Sequence, residues 1–148
     1  MSKIFIYYSF SGNGDAIAEK MCKKGFEIRK VRSSLKLSDK MLPQMLKGGF
    51  SALIGQTPAL IDYDNNISDY DEVCIGAPVW NARLASPVNT IFRDTDFSGK
   101  KLWFILYSGS GAGKKAEEKI KKLYPDAVVL NLKQPKANPD ELSKLNKL

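Results

Sequence analysis

Apolar residues fall in short dense blocks along this chain, separated by polar and glycine-rich punctuation. Ile4–Tyr8 is an unbroken run of five apolar or aromatic residues, the pattern of a strand buried on both faces of a parallel sheet. Val73–Ala77, Leu102–Tyr107 and Ala127–Leu132 repeat it. Phe26–Val31 instead alternates apolar and polar, and its charges suit a wet sheet edge. Helical spacing runs over Asp15–Lys24, stopped by Gly25, and over Lys114–Tyr124. In the latter, Glu117 and Glu118 stand four residues before Lys121 and Lys122, which predicts a solvated face of paired charges. Asn138-Pro139 begins a short C-terminal helix.

The segment Lys36–Tyr63 is less regular. Leu42, Met45, Leu46, Phe50, Leu53 and Ile54 recur at helical spacing after Pro43, with Gly48-Gly49 inside the pattern. Gln56–Asn66 reads as a connecting loop. Five strands with intervening helices predict one α/β domain over residues 1–148.

Three loops at strand carboxyl ends carry unusual chemistry: Ser9–Asp15, Pro78–Leu84 and Ser108–Gly113. After Ile4–Tyr8 comes Ser9-Phe-Ser-Gly-Asn-Gly-Asp15, polar and glycine-containing, leading directly into a helix. The first amides of a helix lack internal partners, its dipole is positive there, and serine hydroxyls add donors, so this loop suits a phosphate. It is no dinucleotide fingerprint, because Ile17 stands where a third glycine is needed. Ser108-Gly-Ser-Gly-Ala-Gly-Lys-Lys115 is no P-loop either, since Ser108 and Lys115 occupy its first and last required positions. After Val73–Ala77, Pro78 and Pro87 bracket a loop expected to expose Trp80 to a flat ligand.

Composition narrows the chemistry. There is no histidine, which excludes His-based metal sites and Ser-His or Cys-His nucleophile pairs. The two cysteines, Cys22 and Cys74, stand apart and read as buried thiols of a reduced compartment. Neither begins a C-x5-R phosphatase loop, since Ile28 and Trp80 stand where the arginine would be. The net charge of +7 marks either a lysine-rich solvated face or an attraction for anions. Nucleic acid is not expected as a partner, because no helix-turn-helix, zinc or RRM-like signature accompanies the charge. No apolar run approaches the roughly 20 residues of a membrane span, and Met1-Ser2-Lys3 leaves no room for a leader, so a cytoplasmic location is expected. Whatever chemistry occurs here is expected to belong to a bound cofactor.

Ser9-Phe-Ser-Gly-Asn-Gly14 resembles the phosphate loop of flavodoxins, hydroxyl-x-hydroxyl-G-N-T, with Gly14 in place of the threonine. Tyr70-Asp-x-Val-x-Ile-Gly-x-Pro-Val-Trp80 resembles the third strand and flavin-ring loop of small flavodoxin-like proteins. The resemblance implies a three-layer sandwich with a five-stranded parallel sheet in the order 2-1-3-4-5. Strands one and three then meet at the switch point, where ligands bind beyond the carboxyl ends. It also implies non-covalent FMN. Ser9, Ser11, Gly12, Asn13, Gly14 and Asp15 would hold its phosphate, chiefly by backbone amides. Pro78, Val79, Trp80, Asn81 and Ala82 would meet the isoalloxazine, with Ser108, Gly109, Ser110 and Gly111 on the other side. Arg83 would anchor an anionic substrate.

The activity implied is electron transfer or NAD(P)H/quinone-type oxidoreduction, with a redox partner protein or a small-molecule acceptor. The basic charge and the Asn81-Ala82-Arg83 sequence depart from acidic low-potential carriers, whose loop often has a glycine there. The alternative is a flavodoxin-like module without FMN that binds a partner through Trp80. The oligomeric state is left open.

Overall fold

The computed structural model describes residues 2–34 and 56–148. The expected helical stripe from Leu42 to Ile54 lies outside the described residues.

Strands β1 (Lys3–Tyr8), β2 (Glu27–Ser33), β4 (Glu72–Trp80), β6 (Lys101–Ser108) and β7 (Val128–Lys133) form a parallel sheet in the order β2-β1-β4-β6-β7. This is the expected 2-1-3-4-5 arrangement. Two short antiparallel additions were not anticipated. β3 (Leu60–Ile61) borders β2, so β2 is not the free edge, and β5 (Arg83–Leu84) folds back on β4.

Helix α1 (Asn13–Lys23) and a 3₁₀ helix over Pro139–Lys147 cover one face of the sheet. There Phe5 and Tyr7 of β1 pack with Ile17 and Met21 of α1 and with Leu145. Helices α2 (Ser86–Asp94) and α3 (Lys114–Leu123) cover the other. There Ile4, Ile6 and Tyr8 share a core with Val88, Ile91, Ala116 and Ile120. The alternation of β1 side chains between two helical layers explains its uninterrupted apolar run. α1 ends as anticipated at Gly25. The Phe26 amide reaches back to the Met21 carbonyl and the Gly25 amide to Cys22, a Schellman closure with Phe26 and Met21 in one cluster.

Three expectations are corrected. β4 is buried at all nine positions and continues through Pro78 to Trp80, so Pro78, Val79 and Trp80 are strand, not loop. The proline falls where β4 still pairs with β6 but has outrun β1, whose last partner is Gly76, and a strand tolerates proline at such a position. Cys22 is exposed on the outer side of α1, while Cys74 is buried in β4 and its thiol is pushed up by desolvation. The charge pairs of α3 do not form: Lys121 donates to the Ala127 carbonyl, and Glu117 accepts from Asn131. Among the described residues no helix is long and apolar enough to cross a membrane, and no acidic or cysteine cluster could hold a metal.

Candidate functional site

The loop between β1 and α1 is shaped by its own side chains. Gly12 takes a left-handed conformation, with φ of +89°, at the helix N-terminus. Ser9 Oγ accepts the Gly14 amide at 3.0 Å, which leaves the serine proton to donate outward. Asn13 is clamped twice. Its Oδ1 accepts the Lys136 backbone amide at 3.1 Å, which fixes Nδ2 as the donor to Ser11 Oγ at 3.1 Å. Among the described residues, no hydrogen bond engages the amides of Ser11, Gly12, Asn13 or Asp15. Four open amides, two hydroxyls and a helix N-terminus make a donor set suited to a phosphate monoester.

Gly14 is fixed by crowding. A Cβ there would lie 2.7 Å from Ser9 Cβ, 2.7 Å from Tyr7 Cδ2 and 2.8 Å from the Tyr107 hydroxyl. A threonine does not fit at this position.

Asp15 turns away from the loop mouth, toward the sheet. Its Oδ1 accepts the Tyr7 hydroxyl at 2.7 Å and the Lys30 ammonium at 2.8 Å. Burial alone would raise its carboxyl. Lys30, Tyr7 and the more distant Lys136 outweigh that and hold it below the ordinary carboxylate range. Desolvation, and then the bond to Asp15, push the Tyr7 phenol far above its usual value. The Tyr107 hydroxyl, buried alongside, donates to the Tyr8 carbonyl.

At the end of β4 the chain reverses through Asn81 (φ +50°) and Ala82 (φ +64°), a two-residue turn of the I′ type, closed by the pairs Val79–Leu84 and Trp80–Arg83. The Ala82 carbonyl accepts the Ala116 amide of α3 at 2.9 Å, tying the turn to the neighbouring helix. The expectation of an exposed Trp80 is corrected. It is 4% exposed and packs edge-on against Tyr8, with ring centroids 6.2 Å apart. The side chains that reach solvent on this hairpin are Asn81, Ala82 and Arg83.

The third loop follows β6. Ser108 Oγ accepts the Gly111 amide at 2.8 Å, and Gln134 anchors the loop through the Ser108 and Gly109 carbonyls. A Cβ on Gly113 would lie 3.0 Å from Val79 Cγ2, so this loop lies directly against the end of β4. A fourth segment, Gln134–Asn138 after β7, joins the group. It is held to Ser108 and Gly109 at one end and to Asn13 at the other.

The loops therefore gather at the carboxyl ends of β1, β4 and β6, beside the switch point between β1 and β4. A groove of about 470 Å³ adjoins the hairpin, lined among others by Arg83, Asn89, Lys115 and Lys119. Lys119 donates to Asn89 Oδ1 at 2.8 Å, and burial lowers its ammonium pKa. A larger cleft, about 530 Å³, lies at the opposite ends of β6 and β7 around Phe97, Lys100 and Tyr124. None of the four loops lines it, so this cleft lies away from the motif-bearing loops.

The sequence reading missed Lys136 and the Gln134–Asn138 segment. The glutamine, proline and asparagine after the last strand signal a turn, and nothing in their pattern tells where it lands.

The flavodoxin family model matches residues 2–145. A Bacteroides eggerthii protein described as a candidate flavoprotein superposes with a TM-score of 0.73 at 23% identity, covering 96% of both chains. A Lactobacillus acidophilus flavoprotein in complex with FMN gives 0.61 at 21%, covering 86% of this chain and 89% of its own. Oxidised flavodoxin 1 from Bacillus cereus gives 0.50 at 17%, over 97% and 98%. A search among functionally curated proteins found no match. With the motif-bearing loops in place and the family model spanning nearly the whole length, this chain belongs to the flavodoxin family.

Proposed function

We propose that this protein binds FMN non-covalently and works as a redox protein, in electron transfer or in NAD(P)H/quinone-type oxidoreduction. The observation that carries this reading is the β1–α1 loop, a set of open amides and serine hydroxyls at the switch point of a flavodoxin-family sheet. The FMN complex of the Lactobacillus acidophilus protein supports the choice of cofactor.

In this reading the Ser9–Asp15 loop holds the phosphate. Asn81 and Ala82 meet one edge of the ring and Ser108–Gly111 approach from the other side, with the Trp80 indole buried beneath the hairpin. When bound, FMN supplies the one- and two-electron chemistry, while the chain binds, orients and sets the potential. The surroundings are cationic. Lys136 stands at the phosphate end, where Lys30 is taken up by Asp15, and Arg83, Lys115 and Lys119 outnumber Glu118 around the groove at the hairpin end. Positive charge beside a redox centre favours its reduced form, so the potential should lie above that of acid-rimmed carriers. The same groove suits an anionic small-molecule partner, with Arg83 as its anchor.

The test is the visible absorption spectrum of the purified protein before and after adding FMN, with tryptophan fluorescence followed during the titration. Bound-flavin bands and quenched emission are expected. A colourless protein that ignores micromolar FMN would sink the redox reading and leave a partner-binding module in its place.

A further inference from the structure

We infer that Lys136 is the counter-charge of the cofactor phosphate, a specificity-determining residue that makes this loop select FMN over dephosphorylated flavin. The inference rests on the FMN reading and adds a side chain that no loop motif contains.

Three observations converge on it. The Lys136 side chain lies across the mouth of the loop: a Cβ on Gly12 would sit 3.1 Å from its Nζ and 3.2 Å from its Cδ. Its backbone is pinned there, since its amide donates to Asn13 Oδ1, and the turn that carries it is closed by the Gln134 carbonyl accepting the Ala137 and Asn138 amides. The ammonium is also uncommitted, for among the described residues Lys136 makes no ion pair. The nearby carboxylate, Asp15, spends its Oδ1 on Lys30 and Tyr7.

The packing of the loop makes such a residue useful. Ser9, Tyr7 and Tyr107 exclude a threonine at position 14, so the hydroxyl that the resemblance leads one to expect there has no room. A phosphate monoester carries up to about two negative charges at neutral pH, and amides with two serine hydroxyls supply none of opposite sign. A lysine ammonium on the rim supplies one, and charge-assisted bonds are the stronger kind. Gly12 is glycine for its left-handed backbone, and the end of the lysine side chain lies close to where its Cβ would be.

The experiment compares FMN with riboflavin, which lacks the phosphate, in wild type, Lys136→Met and Lys136→Arg. Affinities are read from flavin and tryptophan fluorescence of the full chain. Lys136→Met keeps the stem and the backbone amide while removing the charge. We expect FMN binding about tenfold weaker in Lys136→Met, riboflavin binding unchanged, and Lys136→Arg close to wild type, the size expected of a partly exposed charge-assisted contact. The FMN affinity of Lys136→Met should also vary less steeply with salt. Equal FMN affinity in wild type and Lys136→Met would overturn the inference while leaving the FMN reading intact. So would an equal loss for both flavins, which would mean a structural role. If wild type binds neither flavin, the FMN reading itself fails, and this inference with it.

Discussion

The Tyr107 hydroxyl would stand 2.8 Å from a Cβ on Gly14, although Tyr107 lies in β6 and Gly14 in the first turn of α1, far earlier in the chain. That hydroxyl is itself committed to the Tyr8 carbonyl, so it cannot swing aside without stranding a buried acceptor. Ser9 Cβ and Tyr7 Cδ2 close the remaining directions. Gly14→Thr should therefore lower stability by about 1–3 kcal/mol, the usual range for overpacking, with Gly14→Ala intermediate. Denaturant melts of the apoprotein read this directly, and a neutral or stabilising Gly14→Thr would contradict the packing described. Tyr107→Phe in the same background should not restore stability, because two of the three clashes remain.

Asp15 makes stability pH-dependent. Its folded pKa lies below the unfolded value, so its contribution is present above the unfolded pKa and disappears as pH falls through the folded one. Asp15→Asn should be less stable than wild type at neutral pH, and the two should converge in acid. The carboxylate is half exposed, so screening keeps the difference near the modest scale of surface ion pairs, about 1 kcal/mol. Paired urea melts between neutral and acid pH check it; a gap that widens in acid would reverse the assignment.

Trp80 is read here as core. Trp80→Ala should cost about 3–5 kcal/mol, in keeping with deletion of a large buried aromatic, and the apoprotein should show the full loss. A ring that served solely to stack on a ligand would leave apoprotein stability nearly unchanged. Thermal denaturation without flavin separates the two roles.

Ala82 carries backbone strain at φ +64°, a conformation that costs an alanine roughly 1 kcal/mol or more. Ala82→Gly relieves it, and the gain is offset in part by a more flexible unfolded chain. The expected outcome is a stabilisation of up to about 1 kcal/mol in denaturant melts. A clear loss of stability would mean that the methyl group packs against something the hairpin needs.

The parallel sheet was legible because burial on both faces leaves a plain mark: Ile4–Tyr8, Val73–Ala77 and Leu102–Tyr107 have nearly no polar residue to misplace. The β1–α1 loop was legible because hydroxyls and glycines follow such a block at once. What failed did so for local reasons. Pro78 reads as the start of a loop, yet β4 runs past its neighbour there and loses little by lacking an amide hydrogen. Asn81-Ala82 lacks the asparagine–glycine signal of a tight hairpin, so the reversal that buries Trp80 and pairs it with Arg83 was invisible. Cys22 follows Met21 by one residue, and on α1 that rotation of about 100° carries it from core to solvent. Lys136 was out of reach altogether, since its position depends on where the chain re-emerges after the last strand.

The bond from the Lys136 amide to Asn13 joins residues 123 positions apart. A loop whose clamp arrives so late in the chain cannot take its final shape while the polypeptide is still emerging from the ribosome. The first strand and helix would wait, with the open amides of the loop loosely arranged, until β7 has docked on β6 and the turn beyond it has swung back. Contacts of such long sequence separation are the slow steps of folding. The clamped shape of this loop is thus acquired as the sheet closes, once the last strand has docked.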